Sequence, residues 1–250
     1  MKTLLIDIET APNKVYTWGL FGQNISLNQI EEPGYTICFA AKWLNKDKII
    51  FKSVHHQDEE TMLFVAHDLM SEADAIIHYN GNNFDIPVLN SEFLKHGMNP
   101  PAPSNQVDLL KAVRRNFRLT SNKLDFVARH LGIEGKLEHK GMDLWSGCMA
   151  GDAASWKTMK AYNIQDVLLL EQVYDRLLPW IDDHPNMALY SDSKDAMCPS
   201  CGSDQLQRRG TQKAKTMEYQ RYQCTACGGW SRARTTMLSK EKRKNVLVKI

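Results

Sequence analysis

Short apolar runs separated by polar turns characterise the first fifth of the chain. Residues 3–8 (TLLIDI) are an apolar run that predicts a buried strand. Residues 35–43 and 48–54 predict two more strands, with a tight turn at residues 45–47 between them. Three consecutive strands connected in this way are typical of an antiparallel meander.

Beyond residue 58 the apolar positions change to helical spacing. Asp58 is placed to begin a helix that reaches about Ser71, with apolar side chains every three or four residues. The pattern then predicts strands at 74–79 and 106–109 and helices at 84–96, 109–117, 122–131 and 153–178. A meander followed by strands that alternate with helices predicts an α/β domain with a mixed sheet flanked by helices.

The last quarter of the chain differs in composition. It is rich in Cys, Gly, Arg and Lys, and so short a segment builds little apolar core without a covalent or metal staple. We therefore predict a main domain at residues 1–185, a linker at 186–197, a small module at 198–236 and a basic tail at 237–250.

Composition narrows the class of protein. Hydrophobic residues make up 43% of the 250 positions, which excludes a wholly disordered chain. No apolar run approaches the roughly 18–20 residues that a membrane helix needs. The apolar start is too short for a signal peptide, and Asp7 interrupts it. We therefore expect a soluble cytoplasmic protein without membrane contact.

Charge is distributed unevenly along the chain. Residues 194–250 contain 13 Lys and Arg against 4 Asp and Glu, whereas residues 1–193 contain 18 against 25. The net charge is therefore +9 in the C-terminal part and −7 in the rest. A basic segment attached to an acidic body indicates a polyanionic partner for that segment.

Two acidic residues lie at the end of the first predicted strand. Asp7 and Glu9 are two positions apart, so their side chains point to the same face of the strand, together with Leu5. Burying two acids on an apolar strand is costly unless a cation compensates them. Carboxylate oxygens favour Mg²⁺ or Mn²⁺. For this pair alone, a strand end that reaches solvent is the alternative interpretation.

Three further residues extend this acidic set. Asp85 follows an Asn-rich loop and begins a predicted helix, where Asp also serves as an ordinary cap. Tyr162 and Asp166 are four positions apart and share one face of the last long helix. Taken alone, Asp166 also fits a solvated helix position.

Taken together, three segments resemble the motifs of the DEDD 3′–5′ exonucleases. Residues 7–10 (DIET) resemble the first motif, residues 78–87 (HYNGNNFDIP) the second, and residues 162–166 (YNIQD) the Tyr-x-x-x-Asp motif of the tyrosine subclass. They occur in the order of the family and span roughly residues 1–180. The likeness is to stand-alone phage-type members and to the exonuclease regions of family B polymerases. It implies a ribonuclease H-like fold and a phage or bacterial-type context.

This resemblance implies a two-metal site. Asp7, Glu9 and Asp166 would hold the first Mg²⁺ or Mn²⁺ ion, Asp7 would bridge to a second, and Asp85 would support that second ion. Two such ions stabilise the attacking and the leaving oxygen of a phosphodiester during hydrolysis.

The resemblance also implies a substrate. Tyr162 would orient the attacking water, because a free phenol with a pKa of about 10 is not a strong base. Asn82 and Asn83 are candidates for contact with the terminal nucleotide. The expected substrate is a single-stranded or frayed 3′ end, DNA more than RNA, and the products are nucleoside 5′-monophosphates. A polymerase or replication protein acting in trans is a further expected partner.

Four cysteines form two close pairs near the C-terminus. Cys198 and Cys201 are separated by 22 residues from Cys224 and Cys227. This spacing is typical of a four-thiolate structural Zn²⁺ site, and a redox dithiol or unrelated free thiols are the alternatives. The segments CPSCGS and CTACGGWSR resemble those of a zinc ribbon.

Basic side chains surround the two cysteine pairs. Such cations neutralise phosphates, so we predict that the ribbon assists nucleic-acid binding, with docking onto a protein as the alternative. The candidates for phosphate contact are Arg208, Arg209, Lys213, Lys215, Arg221, Arg232 and Arg234.

For the whole chain, two other functions remain open at this point. One is a catalytically weak module that binds nucleic acid or docks on a replication protein. The other is a 3′-trimming exoribonuclease, which differs from a deoxyribonuclease by contacts to the 2′-hydroxyl group.

Overall fold

The computed structural model describes residues 1–135 and 141–248, so the last two residues of the predicted basic tail lie outside the described part. The chain divides into two compact units. One contains Lys2–Tyr174, and the other contains Asp175–Ile250 together with Met1.

Within its described residues, the N-terminal unit has seven strands, six α-helices and a 3-10 helix at Leu27–Gln29. The strands are β1 (Thr3–Thr10), β2 (Lys14–Val15), β3 (Ile30–Glu32), β4 (Thr36–Trp43), β5 (Ile49–Ser53), β6 (Ala75–His78) and β7 (Asn105–Asp108). The helices are α1 (Glu59–Glu72), α2 (Asp85–Lys95), α3 (Leu109–Asn116), α4 (Leu124–His130), α5 (Met142–Met149) and α6 (Ala153–Leu177). The predicted mixed α/β architecture is confirmed.

The main sheet has five strands in the order β5-β4-β1-β6-β7. The predicted meander is present, because β1 pairs antiparallel with β4 and β4 pairs antiparallel with β5. On its other side β1 pairs parallel with β6, and β6 pairs parallel with β7. β1 is therefore the central strand, and it extends past β6 because their pairing reaches only Leu5.

Helices cover both faces of this sheet. Leu4, Ile6 and Ile8 of β1 belong to a buried cluster with side chains of α1 and α2. A second buried cluster joins Ile37 and Cys38 of β4 to side chains of α5 and α6. Because neighbouring strand residues point to opposite faces, Asp7 and Glu9 lie on the α6 side.

Two elements of this unit are not predicted by the hydrophobic pattern. β2 and β3 form a short hairpin within the connection from β1 to β4, and its tip exposes Trp18 by 99% and Phe21 by 89%. α5 buries only Leu144 and Cys148. Neither element contributes enough core side chains to create a recognisable period in the sequence.

A buried ion pair connects the sheet to α6. Lys42 of β4 contacts Glu171 of α6, and their side chains are only 8% and 16% exposed. Glu171 also accepts a hydrogen bond from the backbone N–H of Asn45 at 3.1 Å. Because both charges are shielded from water, neither is tolerated without the other.

Removing one member of this pair should therefore destabilise the N-terminal unit. We expect Glu171→Leu to lower the free energy of unfolding by about 3–5 kcal/mol, because Lys42 is left buried and unpaired. The double variant Lys42→Met/Glu171→Leu should recover most of that loss. Urea denaturation measures both. Glu72→Leu is the control, since it breaks the exposed pair with Lys2 and should cost less than about 1 kcal/mol. If Glu72→Leu and Glu171→Leu lowered the free energy of unfolding equally, the buried ion pair would not have the stabilising role assigned to it.

The C-terminal unit contains a smaller sheet. Its elements are β8 (Leu206–Lys213), β9 (Glu218–Cys224), β10 (Trp230–Arg232) and α7 (Lys240–Lys244), with 3-10 helices at Leu178–Trp180 and Met187–Tyr190. The strands are antiparallel in the order β10-β9-β8. Among its described residues, the buried non-glycine side chains are Leu177, Ile181, Cys198 and Cys224. So small a core agrees with the prediction that this segment needs a bound metal or a covalent cross-link to be stable.

None of the helices in the described ranges combines the length and the hydropathy that a membrane span requires.

Candidate active site and four-cysteine site

Three carboxylates converge beyond the middle of β1. Asp7 and Glu9 lie on β1 and Asp166 lies on α6, and one ligand oxygen from each is within 4.8 Å of the others. Asp166 is only 1% exposed. Like charges this close repel one another, and a bound cation removes the repulsion. A set of hard oxygen donors fits Mg²⁺ or Mn²⁺ better than a softer metal.

Asp85 lies beside this group. It is the first residue of α2 and is 4% exposed. Its Oδ1 accepts a hydrogen bond of 3.1 Å from the backbone N–H of Ile8, the residue between Asp7 and Glu9. Since β1 has separated from β6 at this point, the N–H of Ile8 is directed toward α2 instead of a neighbouring strand. The structure therefore brings all four predicted acids together.

Asn163 is a residue of this site that sequence reasoning did not identify. It is fully buried on α6 and donates from Nδ2 to Oδ2 of Asp7 at 2.7 Å and to the backbone carbonyl of Asp7 at 3.2 Å. These two bonds orient the carboxylate of Asp7. The signal in the sequence was an amide three residues before Asp166, on the inner side of an otherwise apolar helix.

Tyr162 lies on α6 next to Asn163 and is 8% exposed. Its ring meets that of Trp145 edge to face, with centroids 6.1 Å apart. Nearby on β4, burial raises the pKa of the Cys38 thiol well above its usual value, and the charges of Glu9 and Asp7 raise it further. The acidic group therefore creates a negative field at this end of the sheet.

The loop before Asp85 is held by a second set of polar contacts. The backbone N–H of Gly81 donates to Nδ1 of His78 at 3.0 Å, so Nε2 of His78 carries the proton and donates to Gln106 at 3.2 Å. Burial lowers the pKa of His78, which favours this neutral form. A side chain on Gly81 would clash, because its Cβ would lie 2.3 Å from the His78 ring. The loop therefore requires glycine at this position.

Two adjoining grooves begin at this loop. The first, with a volume of about 590 Å³, includes Asp7, Tyr79, Arg114 and Lys123 in its wall. The second, of about 580 Å³, also contains Arg114 and is lined by Asn82, Asn83, Lys111 and Arg115. The predicted residues Asn82 and Asn83 thus lie in a basic groove, and the cations of its wall were not among the sequence candidates.

The four cysteines of the C-terminal unit form a compact cluster. Their sulfur atoms lie within 4.8 Å of one another, and Sγ atoms are 3.6 Å apart in the pairs Cys198–Cys227 and Cys201–Cys224. This separation is too long for a disulfide and suits four thiolates around one ion. The residues after the two pairs, Gly202 and Gly228, have φ values of 75° and 80°, which glycine adopts without strain.

The surroundings of Cys224 favour its thiolate. Burial is the largest single influence and acts to raise its pKa, but the hydrogen bonds from the backbone N–H groups of Cys227 and Ala226 and from the thiols of Cys201 and Cys227 together outweigh it and lower the pKa to about 7. A thiol that ionises near neutral pH is a suitable metal ligand.

The predicted basic candidates of this unit are all exposed. Arg208, Arg209 and Lys213 lie on β8, Arg221 on β9 and Arg232 on β10, while Lys215 lies in the turn after β8 and Arg234 follows β10.

Among the described residues, one other cluster of metal-binding side chains already contains a cation. Glu59, Glu92 and His96 lie close together, but the ammonium group of Lys95 contacts Glu59 at 2.8 Å and Glu92 at 3.4 Å. Lys95 therefore occupies the place that a cation would take.

Comparison with known proteins agrees with this architecture. A family model described as the RNase_H superfamily matches residues 4–178. A solved structure of the family B DNA polymerase from the hyperthermophilic archaeon Pyrobaculum calidifontis is 17% identical and superposes with a TM-score of 0.51. The match covers 88% of this chain and 32% of that polymerase chain, and at this identity it shows the fold alone. No curated protein sequence matches.

The family match extends over most of the chain and includes β1, the loop before Asp85 and α6. It therefore covers every acid of the candidate site, and it confirms the ribonuclease H-like fold predicted from the sequence. The chain belongs to the RNase_H superfamily.

Proposed function

We propose that this chain is a metal-dependent 3′–5′ exonuclease of the DEDD tyrosine subclass, which releases nucleoside 5′-monophosphates from 3′ ends, with DNA as the favoured substrate. The observation that carries the proposal is the convergence of Asp7, Glu9 and Asp166, with Asp85 bound to the intervening backbone. These acids come from the three segments that resemble the exonuclease motifs.

The acids divide into two groups of metal ligands. Asp7, Glu9 and Asp166 would hold one Mg²⁺ or Mn²⁺, while Asp7 and Asp85 would hold a second. When bound, the two ions stabilise negative charge on the attacking and leaving oxygens of the phosphodiester.

Neighbouring side chains position the reacting groups. Tyr162 is next to Asn163 on α6, and we assign it the orientation of the attacking water by hydrogen bonding. Asn163 holds the Asp7 carboxylate at two points, at 2.7 Å and 3.2 Å, so that Asp7 presents its oxygens in one direction.

The two grooves account for substrate binding in this proposal. Arg114 lines both of them, Lys123 lines the first, and Lys111 and Arg115 line the second. Their charges would neutralise the phosphates of an entering strand, against the net −7 of residues 1–193. Asn82 and Asn83 would contact the terminal nucleotide.

The C-terminal unit has a supporting role. We assign residues 1–185 to the exonuclease domain, 186–197 to a linker, 198–236 to a zinc ribbon with one structural Zn²⁺, and 237–250 to a basic tail. The ribbon would assist nucleic-acid binding through its exposed arginines and lysines. The enzyme would act inside the cell, alone or with a polymerase or replication protein in trans.

A labelled-oligonucleotide assay tests the proposal. The chain is incubated with 5′-labelled single-stranded DNA, duplex DNA or RNA, each with Mg²⁺, with Mn²⁺ or without divalent ions. We expect a metal-dependent ladder that shortens from the 3′ end, fastest on single-stranded DNA. A preference for RNA would favour the exoribonuclease. Binding without cleavage under all conditions would favour a non-catalytic module.

Asn163 provides a narrower test of the site. We expect Asn163→Ala to lower kcat by about 10–100-fold and to raise the Mn²⁺ concentration needed for half-maximal rate, because a side chain that orients a metal ligand is lost. Gln165→Ala on the same helix is the control and should change neither value. An unchanged metal requirement in Asn163→Ala, with normal thermal unfolding, would show that Asn163 does not orient the ligand.

A further inference from the structure

One face of the C-terminal sheet carries two arginines and two aromatic residues. Tyr219 and Arg221 are two positions apart on β9, so they project to the same side. Trp230 and Arg232 are likewise two apart on β10, and Arg232 pairs directly with Arg221 across the strands. These four side chains share one side of the sheet and are called the Arg–aromatic face below.

The guanidinium groups of this face are held against the rings. Cζ of Arg221 is 4.9 Å from the ring centroid of Trp230, and Cζ of Arg232 is 3.9 Å from that of Tyr219. Arg221 also donates from Nε to the backbone carbonyl of Arg209 at 2.9 Å. Cation–π stacking and this hydrogen bond orient the arginines before any ligand arrives. Pre-oriented donors lose less conformational entropy on binding.

The charges of this face are uncompensated within the described chain. Among residues 1–135 and 141–248, no carboxylate lies within 4.0 Å of either guanidinium group. Like charges directly opposite each other on neighbouring strands destabilise a sheet, and Arg221 faces Arg232 in this way. An anion bound beside both groups would remove that repulsion.

We propose that the Arg–aromatic face binds a single-stranded segment of nucleic acid. Arg221 and Arg232 would contact the phosphates, and the exposed ring of Trp230 would stack on an unpaired base. Trp230 is 54% exposed, and a shallow recess of about 400 Å³ lies between it and the two arginines. The inference rests on the proposed function, since it identifies how this nuclease would hold its strand.

The combination of arginines and aromatic rings on this face favours a single strand of nucleic acid over an acidic peptide. An acidic peptide would satisfy the two arginines but would leave the aromatic surfaces without a planar partner. Unpaired bases stack on aromatic rings and on guanidinium planes, whereas bases within a duplex have both faces covered. A single strand therefore uses both components of the face.

Binding to a cleavage-resistant oligonucleotide tests the charged component. The full chain is titrated against a fluorescent single strand with phosphorothioate linkages, without added divalent ions, at several salt concentrations. We expect Arg232→Ala to weaken binding on the order of tenfold. We also expect the slope of log K against log salt to fall by about 0.7, the value for one lost phosphate contact on a single strand.

Arg243→Ala is the matched control. Arg243 is also an exposed arginine of the C-terminal unit, but it belongs to α7 and not to the sheet. It should change affinity and salt slope much less than Arg232→Ala. If the two variants lost the same affinity, binding would depend on the net charge of the unit and not on the Arg–aromatic face, which would contradict the proposal.

A second pair of variants tests stacking. Trp230→Leu should weaken binding without changing the salt slope, because it removes the aromatic surface assigned to base stacking and removes no charge. Tyr222→Leu, which changes a tyrosine on the other face of the same sheet, should have little effect. Unchanged zinc content and circular dichroism in all variants would show that the sheet is intact.

Two competing ligands complete the test. The proposal would be overturned in favour of protein docking if a glutamate-rich peptide bound more tightly than the oligonucleotide and Arg232→Ala abolished binding of that peptide. Equal affinity for duplex and single strand would contradict the stacking component. Since binding is measured without hydrolysis, failure of the exonuclease proposal would not alter these results, and their failure would leave cleavage intact.

Discussion

Asp166→Asn is expected to abolish nearly all metal-dependent hydrolysis while the protein remains folded. The substitution keeps the size of the side chain but removes one of three charges whose oxygens lie within 4.8 Å of one another. It therefore weakens the attraction for a divalent ion at the position where transition-state charge must be stabilised. We expect kcat to fall by about 10²–10³-fold, the loss typical of removing one such electrostatic group.

The stability of this variant should not decrease. Three close carboxylates repel one another when no ion is bound, so the neutral amide relieves part of that repulsion. Thermal unfolding without divalent ions should therefore occur at the same temperature as in the wild type or at a higher one. Added Mn²⁺ should raise the unfolding temperature of the wild type more than that of Asp166→Asn.

Asp68→Asn is the matched control for the loss of one negative charge. Its side chain is 84% exposed on α1, away from the acidic group. Cleavage of 5′-labelled single-stranded DNA should be normal in this variant. Wild-type rates in Asp166→Asn would exclude Asp166 as a metal ligand and would remove the main support for the proposed two-metal mechanism.

Removal of the predicted zinc ion should unfold the small sheet of the C-terminal unit. Few side chains are buried there among the described residues, and two of them are the cysteines Cys198 and Cys224. In zinc-finger peptides the metal supplies roughly 10–16 kcal/mol, far more than so small a core provides. A strong chelator should therefore release one Zn²⁺ per chain and make residues 198–236 sensitive to protease. The N-terminal unit, with its own core, should resist under the same conditions.

Cys201→Ser tests the ligand assignment without a chelator. It should lose the zinc and become protease-sensitive in the same region, because only three thiolates remain. Cys148→Ala removes a buried thiol from the apolar cluster beside α5 and should keep the zinc. A C-terminal unit that contains no zinc and is still protease-resistant would contradict the structural metal site.

The secondary structure of the N-terminal unit was predictable because its elements contribute long runs to one core. β1 buries a nearly continuous apolar run, and α1 and α6 bury apolar side chains at helical spacing. The sequence places all three elements with ends within two residues of those observed. The hairpin β2–β3 exposes Trp18 and Phe21, so its apolar residues carry no information about a buried face. Hydrophobic periodicity reports burial, and it does not detect elements that are held mainly by backbone hydrogen bonds.

The acidic site could likewise be predicted only in part from the sequence. Local spacing already places Asp7 and Glu9 on one face of a strand, because alternation along a strand is a property of the backbone. It equally places Tyr162 and Asp166 on one face of a helix. No local rule states that Asn163 meets Asp7, a residue 156 positions away.

The amino-acid sequence by itself determined which chemical groups the chain carries, how they are spaced and in which order they occur. It contains three acidic segments, two cysteine pairs and a basic C-terminal part. These are local or compositional properties, and local geometry is nearly independent of the rest of the fold. Contacts between distant segments depend on how the layers pack. The packing of α6 against β1 created the bond from Asn163 to Asp7, and the register of β9 with β10 placed Arg221 opposite Arg232.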